Sequence, residues 1–173
     1  MSLRYPIGTS GEVVIVTDPA LDHLLKHQQM RWWQREAGGL LFARIAGPEI
    51  TIVEATGPHP KDLRSRFSFS TSLERQQAVV ETRFDMGLHY VGDWHPEARP
   101  KPSPLDRKTM ASRVALSVHG FAGFLFAIIG RDPLPEGLAM MFQDGTSTHH
   151  LQPAVALSTA LPHNLDDAGR VKP

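Results

Sequence analysis

Apolar and polar positions alternate in short blocks along this chain, and each block has a period that names an element. "EVVIVT" (12–17) is a β-branched run that ends at a turn signal, which predicts a strand. "DPALDHLLKHQQM" follows, with Asp18 as N-cap, Pro19 at the first helical position and Leu21, Leu24 and Leu25 at helical spacing. That face is expected to pack on a sheet, with His23 and His27 on the solvated side. "GGLLFARIA" and "EITIVEATGP" are apolar runs split by Gly47-Pro48, the pattern of an antiparallel hairpin. "HPKDLRSRFSFS" (59–70) reads as an exposed loop entering a short strand, and "TSLERQQAVVETRF" as a helix capped by Thr71 or Ser72.

Further on, "LHYVGDW" reads as a strand, "PLDRKTMASRVALSV" as a helix starting beside Ser103, "FAGFLFAIIG" as a buried strand and "LAMMFQD" as an edge-like strand. Strands near 12–17, 40–45, 50–55, 88–94 and 123–129 should share one sheet, with a helix over 104–117. The order is that of an α+β fold, a mixed sheet with helices packed against it. Residues 1–151 are expected to form one domain. Residues 152–173 lack periodicity and are expected to be a partly ordered tail.

Composition narrows the chemistry. The chain has 173 residues, 41% of them hydrophobic, enough for one buried core. Lys+Arg and Asp+Glu balance at 18 each, with no long like-charge run, so neither a nucleic-acid groove nor a membrane-surface patch is expected. Cysteine is absent, which excludes disulfides, thiol catalysis and cysteine zinc sites and leaves His and carboxylates as the strong metal ligands. The start has no signal-peptide pattern, and no apolar run approaches the roughly 20 residues of a spanning helix, so a cytoplasmic protein is expected.

The densest chemistry lies in "GLHYVGDWHPEARPKPSPLDRKTM" (87–110). Ser103-Pro104-Leu105-Asp106 is by itself a good helix start, and a lone His at a strand end is more often a hydrogen-bonded structural residue than a ligand. The combination says more: a strand ending in His95, seven residues to Ser103, Asp106 three further on, and upstream Glu36 followed by Gly38 and Gly39. Such a set suits metal-assisted hydrolysis. Imidazole and carboxylate hold a divalent ion, a separate carboxylate moves the proton, and a hydroxyl stabilises the oxyanion. Trp32 and Trp33 are read as closing a core edge. His149 and His150, adjacent on a strand, point to opposite faces and are discounted as ligands.

These residues resemble the JAB/JAMM (MPN+) metalloprotease family, whose motif is a Glu, then His-x-His, seven residues, Ser, two residues and Asp. "WWQREAGGLLFA", "ATGPHPKDLRSRFSFS", "GLHYVGDW", "HPEARPKPSPLD" and "FAIIG" are similar to its bacterial branch in integrative and conjugative elements and CBASS-type antiphage operons. The resemblance spans roughly residues 4 to 145. It implies a curved, cytidine-deaminase-like mixed sheet flanked by helices, one Zn2+, and cleavage after the C-terminus of a ubiquitin-like protein, with a CD-NTase-type enzyme as a conjugation target. By position, Glu36 becomes the general acid/base, His95 and Asp106 zinc ligands and Ser103 the oxyanion stabiliser.

One departure matters. The family has "GDW", His-x-His, then "PE", whereas this chain has "GDWHPE", one His and its spacer short. If the loop side sets the register, His95 takes the second ligand position and Asp93, two residues back on the same face, replaces the first. If the strand side sets it, His95 is first and Glu97 second. Two alternatives to a deconjugating isopeptidase remain: a catalytically silent module that recognises a ubiquitin-like tail or a partner, and a peptidase trimming a sulfur-carrier or ubiquitin-like precursor.

Overall fold

The computed structural model describes residues 2–31, 33–64, 69–70, 72–101, 104 and 123–154. Its elements are β1 (Leu3–Pro6), β2 (Val13–Val16), α1 (Asp18–Lys26), β3 (Gly39–Ala46), β4 (Glu49–Ala55), β5 (Leu63–Arg64), β6 (Phe69–Ser70), α2 (Leu73–Asp85), β7 (His89–Pro96), β8 (Phe124–Ile129), β9 (Leu138–Gln143) and β10 (Thr148–Leu151). The α+β expectation holds: eight strands form one mixed sheet in the order β1-β2-β4-β3-β7-β8-β9-β10, while β5 and β6 make a small separate ribbon. The β2–β4 and β7–β8 pairs are parallel and the rest of the large sheet is antiparallel.

The sheet curves far enough for its two ends to meet. The Tyr5 hydroxyl on β1 donates to Leu138 O on β9 at 3.4 Å, and Ala154 N, just beyond β10, donates to Arg4 O at 2.7 Å. Curvature of this kind covers strand edges that would otherwise expose unpaired backbone groups. Inside it lies the main core, where Tyr5, Val14, Val16, Leu41, Ile52, Leu125, Ala127 and Met140 pack with Leu21 and Leu24 of α1. Each fully buried Leu contributes about 1.5–3 kcal/mol, so these two anchor α1 to the sheet. On the other face Leu40, Phe42 and Leu88 meet Val79 and Val80 of α2, and Phe126, Ile128 and Met141 form a third cluster. All six residues of β8 are buried, which accounts for the unbroken apolar run "FLFAII".

The hairpin at Gly47-Pro48 forms as expected: Ala46 faces Glu49 across the turn, and Gly47 takes φ 57°, a left-handed conformation suited to glycine. Several details differ. Thr17, not Asp18, is the N-cap of α1, with its hydroxyl donating to Ile52 O, and the helix stops at Lys26. Ser72 caps α2. β9 is an interior strand because "THHL" adds β10 outside it, and β1 was not expected at all. Both are four-residue strands held by antiparallel pairing, β1 with β2 and β10 with β9, without a visible apolar run. The helix expected over 104–117 lies outside the described residues, apart from Pro104. So do Trp32 and most of the expected tail.

Candidate functional site

The site is organised by the end of β7. Gly92 to Pro96 run parallel to Leu125 to Ile129, with Asp93 facing Phe126 and His95 facing Ile128. Asp93 and His95 therefore share one face of the sheet, and Trp94 occupies the other. That is the placement expected of a strand carrying alternate polar groups. His95 is half-buried, its ring edge-on to Phe126 with centroids 5.0 Å apart, and its Nε2 lies 3.9 Å from Glu97 Oε1.

A bulge earlier in β7 adds something that simple alternation hides. Leu41 pairs with Gly92 but Phe42 pairs with Tyr90, so Val91 is the extra residue. The bulge brings Tyr90 and Asp93, three apart, onto the same face, and the Tyr90 hydroxyl donates to Asp93 Oδ1 at 2.7 Å. Tyr90 thus fixes the Asp93 carboxylate. In the sequence it looks like an ordinary strand aromatic.

Glu36 reaches the same end from the loop before β3, because Gly39 pairs with Trp94 and so sets the start of β3 against the end of β7. Burial, and secondarily the Glu97 carboxylate, push the Glu36 carboxyl above its ordinary value. Its response to Glu97 places Glu36 within electrostatic reach of the residue that follows β7. The direction of this shift, toward the protonated form, is the one expected of a carboxyl that carries a proton.

Gly39 permits a close backbone approach, and its partner is the exit of β4. A Cβ at Gly39 would overlap Thr56 O and sit 2.8 Å from Trp94 Nε1. The indole Nε1–H donates to Thr56 O at 2.8 Å. Trp94 also lies edge-on to His23, with centroids 5.5 Å apart, and 5.8 Å from His27, while His23 Nε2 sits 2.6 Å from Gly57 O. His23 and His27 are therefore half-buried lids on Trp94, not solvated residues. The helical pattern could not reveal this, because the indole they cover lies about 70 positions away. Trp33 departs from its expected core position in the opposite direction: it is 56% exposed, with the Arg31 guanidinium 5.3 Å from its ring. Met30, Trp33 and their loop lie too far past the end of α1 to join its apolar face.

Of the expected set, Glu36, Asp93 and His95 are described, and Ser103 and Asp106 lie outside the described residues. The donors fit a divalent ion in chemical type, one imidazole with carboxylates. Among the described residues no group of three or more His, Asp or Glu side chains gathers to hold a metal. His149, discounted as a ligand, lies on β10, where it contacts Asp144 at 2.9 Å and stacks near Phe142 of β9.

Known proteins bear on this arrangement. A "CD-NTase/cGAS isopeptidase" of Enterobacter hormaechei subsp. hoffmannii is 33% identical over 102 residues, 57% of this chain, and the match spans 57% of that protein's length. Proteins of the same name from Pseudomonas aeruginosa and Vibrio cholerae are 31% and 27% identical over 66% and 69% of this chain and 75% and 77% of their own lengths. In fold, the solution structure of protein DSY2949 from Desulfitobacterium hafniense aligns with a TM-score of 0.56 at 20% identity, over 78% of this chain and 87% of its own. The model of the family described as prokaryotic homologs of the JAB domain matches residues 17–143, a span that takes in Glu36, β7 and the Ser103–Asp106 segment. With a single curved α+β sheet behind that match, this chain belongs to the prokaryotic JAB family.

Proposed function

We propose that this chain is a zinc-dependent isopeptidase that cleaves after the C-terminus of a ubiquitin-like protein, with a CD-NTase-type enzyme as the conjugate, in the cytoplasm and as part of antiphage defence. The observation that carries the reading is the pairing of Gly39, three residues after Glu36, with Trp94 between Asp93 and His95, beside a Glu36 carboxyl raised by burial and then by Glu97. The names of the three relatives support the isopeptidase chemistry and the class of conjugate. Among the described residues no helix is long and apolar enough to cross a membrane.

His95, Asp106 and Asp93 would hold the zinc, which when bound supplies Lewis acidity toward the scissile carbonyl. Tyr90 holds Asp93 by its hydrogen bond and so limits the carboxylate to one orientation. Glu97, 3.9 Å from His95 Nε2, is the other carboxylate on hand for the third place. Glu36 takes the proton from the attacking water and delivers it to the departing amine, a task for which a raised carboxyl is suited. The Ser103 hydroxyl donates to the oxygen that gains charge. Domain limits of 1–151, with 152–173 as a tail, complete the proposal.

The shortened motif favours a second reading, a silent module that recognises a ubiquitin-like tail, because one imidazole where relatives of the motif have two weakens the ligand set. Metal analysis and cleavage of a ubiquitin-like fusion decide between them. The enzyme reading expects about one zinc per chain, loss of cleavage with chelator, and loss of both metal and cleavage in His95→Ala. Insertion of His-Thr between Trp94 and His95 should raise occupancy and turnover. A chain that binds the ubiquitin-like protein yet never cleaves it at any zinc concentration is the silent module.

A further inference from the structure

We infer that Gly130 is a positioning residue: just past β8 it gives Pro100 a seat, and through Pro100 it directs the chain that runs from His95 to Ser103. The inference rests on the isopeptidase reading for its catalytic consequence, while the seat itself stands on geometry.

Two contacts fasten the loop after β7 to the end of β8. Glu97 N donates to Ile129 O at 3.0 Å, next to the last β7–β8 pair, Pro96 with Ile129. Three residues later Pro100 lies against Gly130, where a Cβ would stand 2.6 Å from Pro100 Cδ, 3.0 Å from its Cγ and 3.2 Å from its N. Lys101 N donates to Arg99 O at 2.7 Å, an i→i+2 bond that makes Pro100 the apex of a tight turn. Ser103 follows Pro100 by three residues and Asp106 by six. The turn against Gly130 is thus the last fastened point before the residues to which the oxyanion and zinc roles are assigned, among those described.

Gly130 does not take a left-handed φ, so what glycine supplies here is space. The strand end cannot yield that space in another way. Gly130 is buried, its N–H donates to Gly137 O at 2.7 Å, and its C=O accepts from Gln28 Nε2 at 2.7 Å. Glu97, Ala98, Arg99 and Lys101 are exposed, so a group added at Gly130 moves the loop rather than the strand. The Pro100 ring is closed on its own backbone nitrogen, and no rotamer change takes it out of the way. Carbon atoms pack at roughly 3.5–4.0 Å, so a methyl on Gly130 pushes Pro100 back by about 1 Å. A misplacement of about 1 Å in a catalytic arrangement can cost about 10²-fold in rate.

The first test uses no activity. In the full chain, labelled with 15N and free of metal, Gly130→Ala is expected to shift the amide signals of Glu97, Ala98, Arg99 and Lys101. Unmoved signals for these residues overturn the seat. The second test is cleavage of a ubiquitin-like fusion with zinc present, at a temperature where each variant is folded. Gly130→Ala is expected to lower kcat about 10–100-fold while KM stays within about twofold. Pro100→Ala removes Cγ and Cδ and should itself lower kcat about tenfold; in that background Gly130→Ala should cost less than about threefold, because the clash is gone. Gly47→Ala, at the opposite end of β3, is the control for lost stability and should keep the parent kcat. Equal losses from Gly130→Ala in the two Pro100 backgrounds, or a loss that Gly47→Ala reproduces, overturn the positioning role. If Gly130→Ala does not fold, Pro100→Ala on its exposed loop decides, and a parent kcat in that variant overturns the inference. Shifted loop signals in a chain that never cleaves remove the isopeptidase reading and leave the seat. Cleavage that neither variant slows keeps that reading and removes Gly130 from it.

Discussion

Replacing Gly39 with Ala adds one methyl group where β3 crosses the exit of β4. That methyl would overlap Thr56 O, stand 2.6 Å from the Thr56 carbonyl carbon and 2.8 Å from Trp94 Nε1. None of these atoms is the free end of a flexible side chain. Thr56 is held by its N–H to Leu40 O at 2.9 Å, and Trp94, 1% exposed, is wedged under α1. The least costly relaxation separates Thr56 O from the indole and leaves a buried N–H without its acceptor, which costs about 1–3 kcal/mol. Overpacking adds about 1–3 kcal/mol, and the reduced freedom of the unfolded chain returns about 0.4–1 kcal/mol. The net expectation is a loss of about 1–5 kcal/mol, seen as a lower urea midpoint at unchanged slope and roughly a 3–20 °C fall in Tm. Near-ultraviolet circular dichroism should register the displaced indole. Gly47→Ala is the control, with nothing within 4 Å of its Cβ but φ 57°, and should cost only about 1 kcal/mol. If Gly39→Ala unfolds within 0.5 kcal/mol of the parent (a margin of ordinary surface substitutions, roughly ±0.5), the close approach of β3, Thr56 and Trp94 is wrong, and with it the placement of Glu36.

The remaining expectations concern the site and α2. Tyr90→Phe removes the hydroxyl on Asp93 and should weaken zinc binding by about 10–100-fold, measured by competition with a chromogenic chelator; unchanged affinity would remove Asp93 from the ligand set. Glu36→Gln should lower turnover by about 10²–10⁴-fold. Because the folded carboxyl is raised, folding favours its protonated form; the stability tied to it is present below the ordinary value of 4.5 and is lost as pH rises through the folded value. Metal-free Glu36→Gln should therefore melt higher than the parent at neutral pH and show no such gain below about pH 4, and a constant difference across that range contradicts the assignment. Arg83→Ala breaks the two-bond contact of the guanidinium with Glu54, at 3.2 and 2.7 Å, which ties α2 to β4; both partners are about a third exposed, so thermal unfolding should register no more than about 1 kcal/mol.

Much of the architecture is legible in the chain because local periodicity encodes it. β-branched runs, the Gly47-Pro48 turn and the leucines of α1 each report on near neighbours, and they led to β2, α1, β3, β4, α2, β7 and β8. The spacing of His95, Ser103 and Asp106 after Glu36 pointed to the family, which the match over residues 17–143 bears out. Alternation along a strand also placed Asp93 and His95 on one face.

Other features depend on contacts between residues distant in sequence, and no local pattern carries them. β1 and β10 are strands because β2 and β9 offer them an edge to pair with, and β9 is interior because β10 lies outside it. The Val91 bulge, a mismatch between β3 and β7, is what turns Tyr90 toward Asp93. His23 and His27 are half-buried because Trp94 arrives beneath them, and the Glu36 carboxyl is raised because folding buries it and brings Glu97 near. Period and spacing determine which residues face together along one element; which elements then meet, and so which charges and rings share a site, is decided only when the sheet curves and closes.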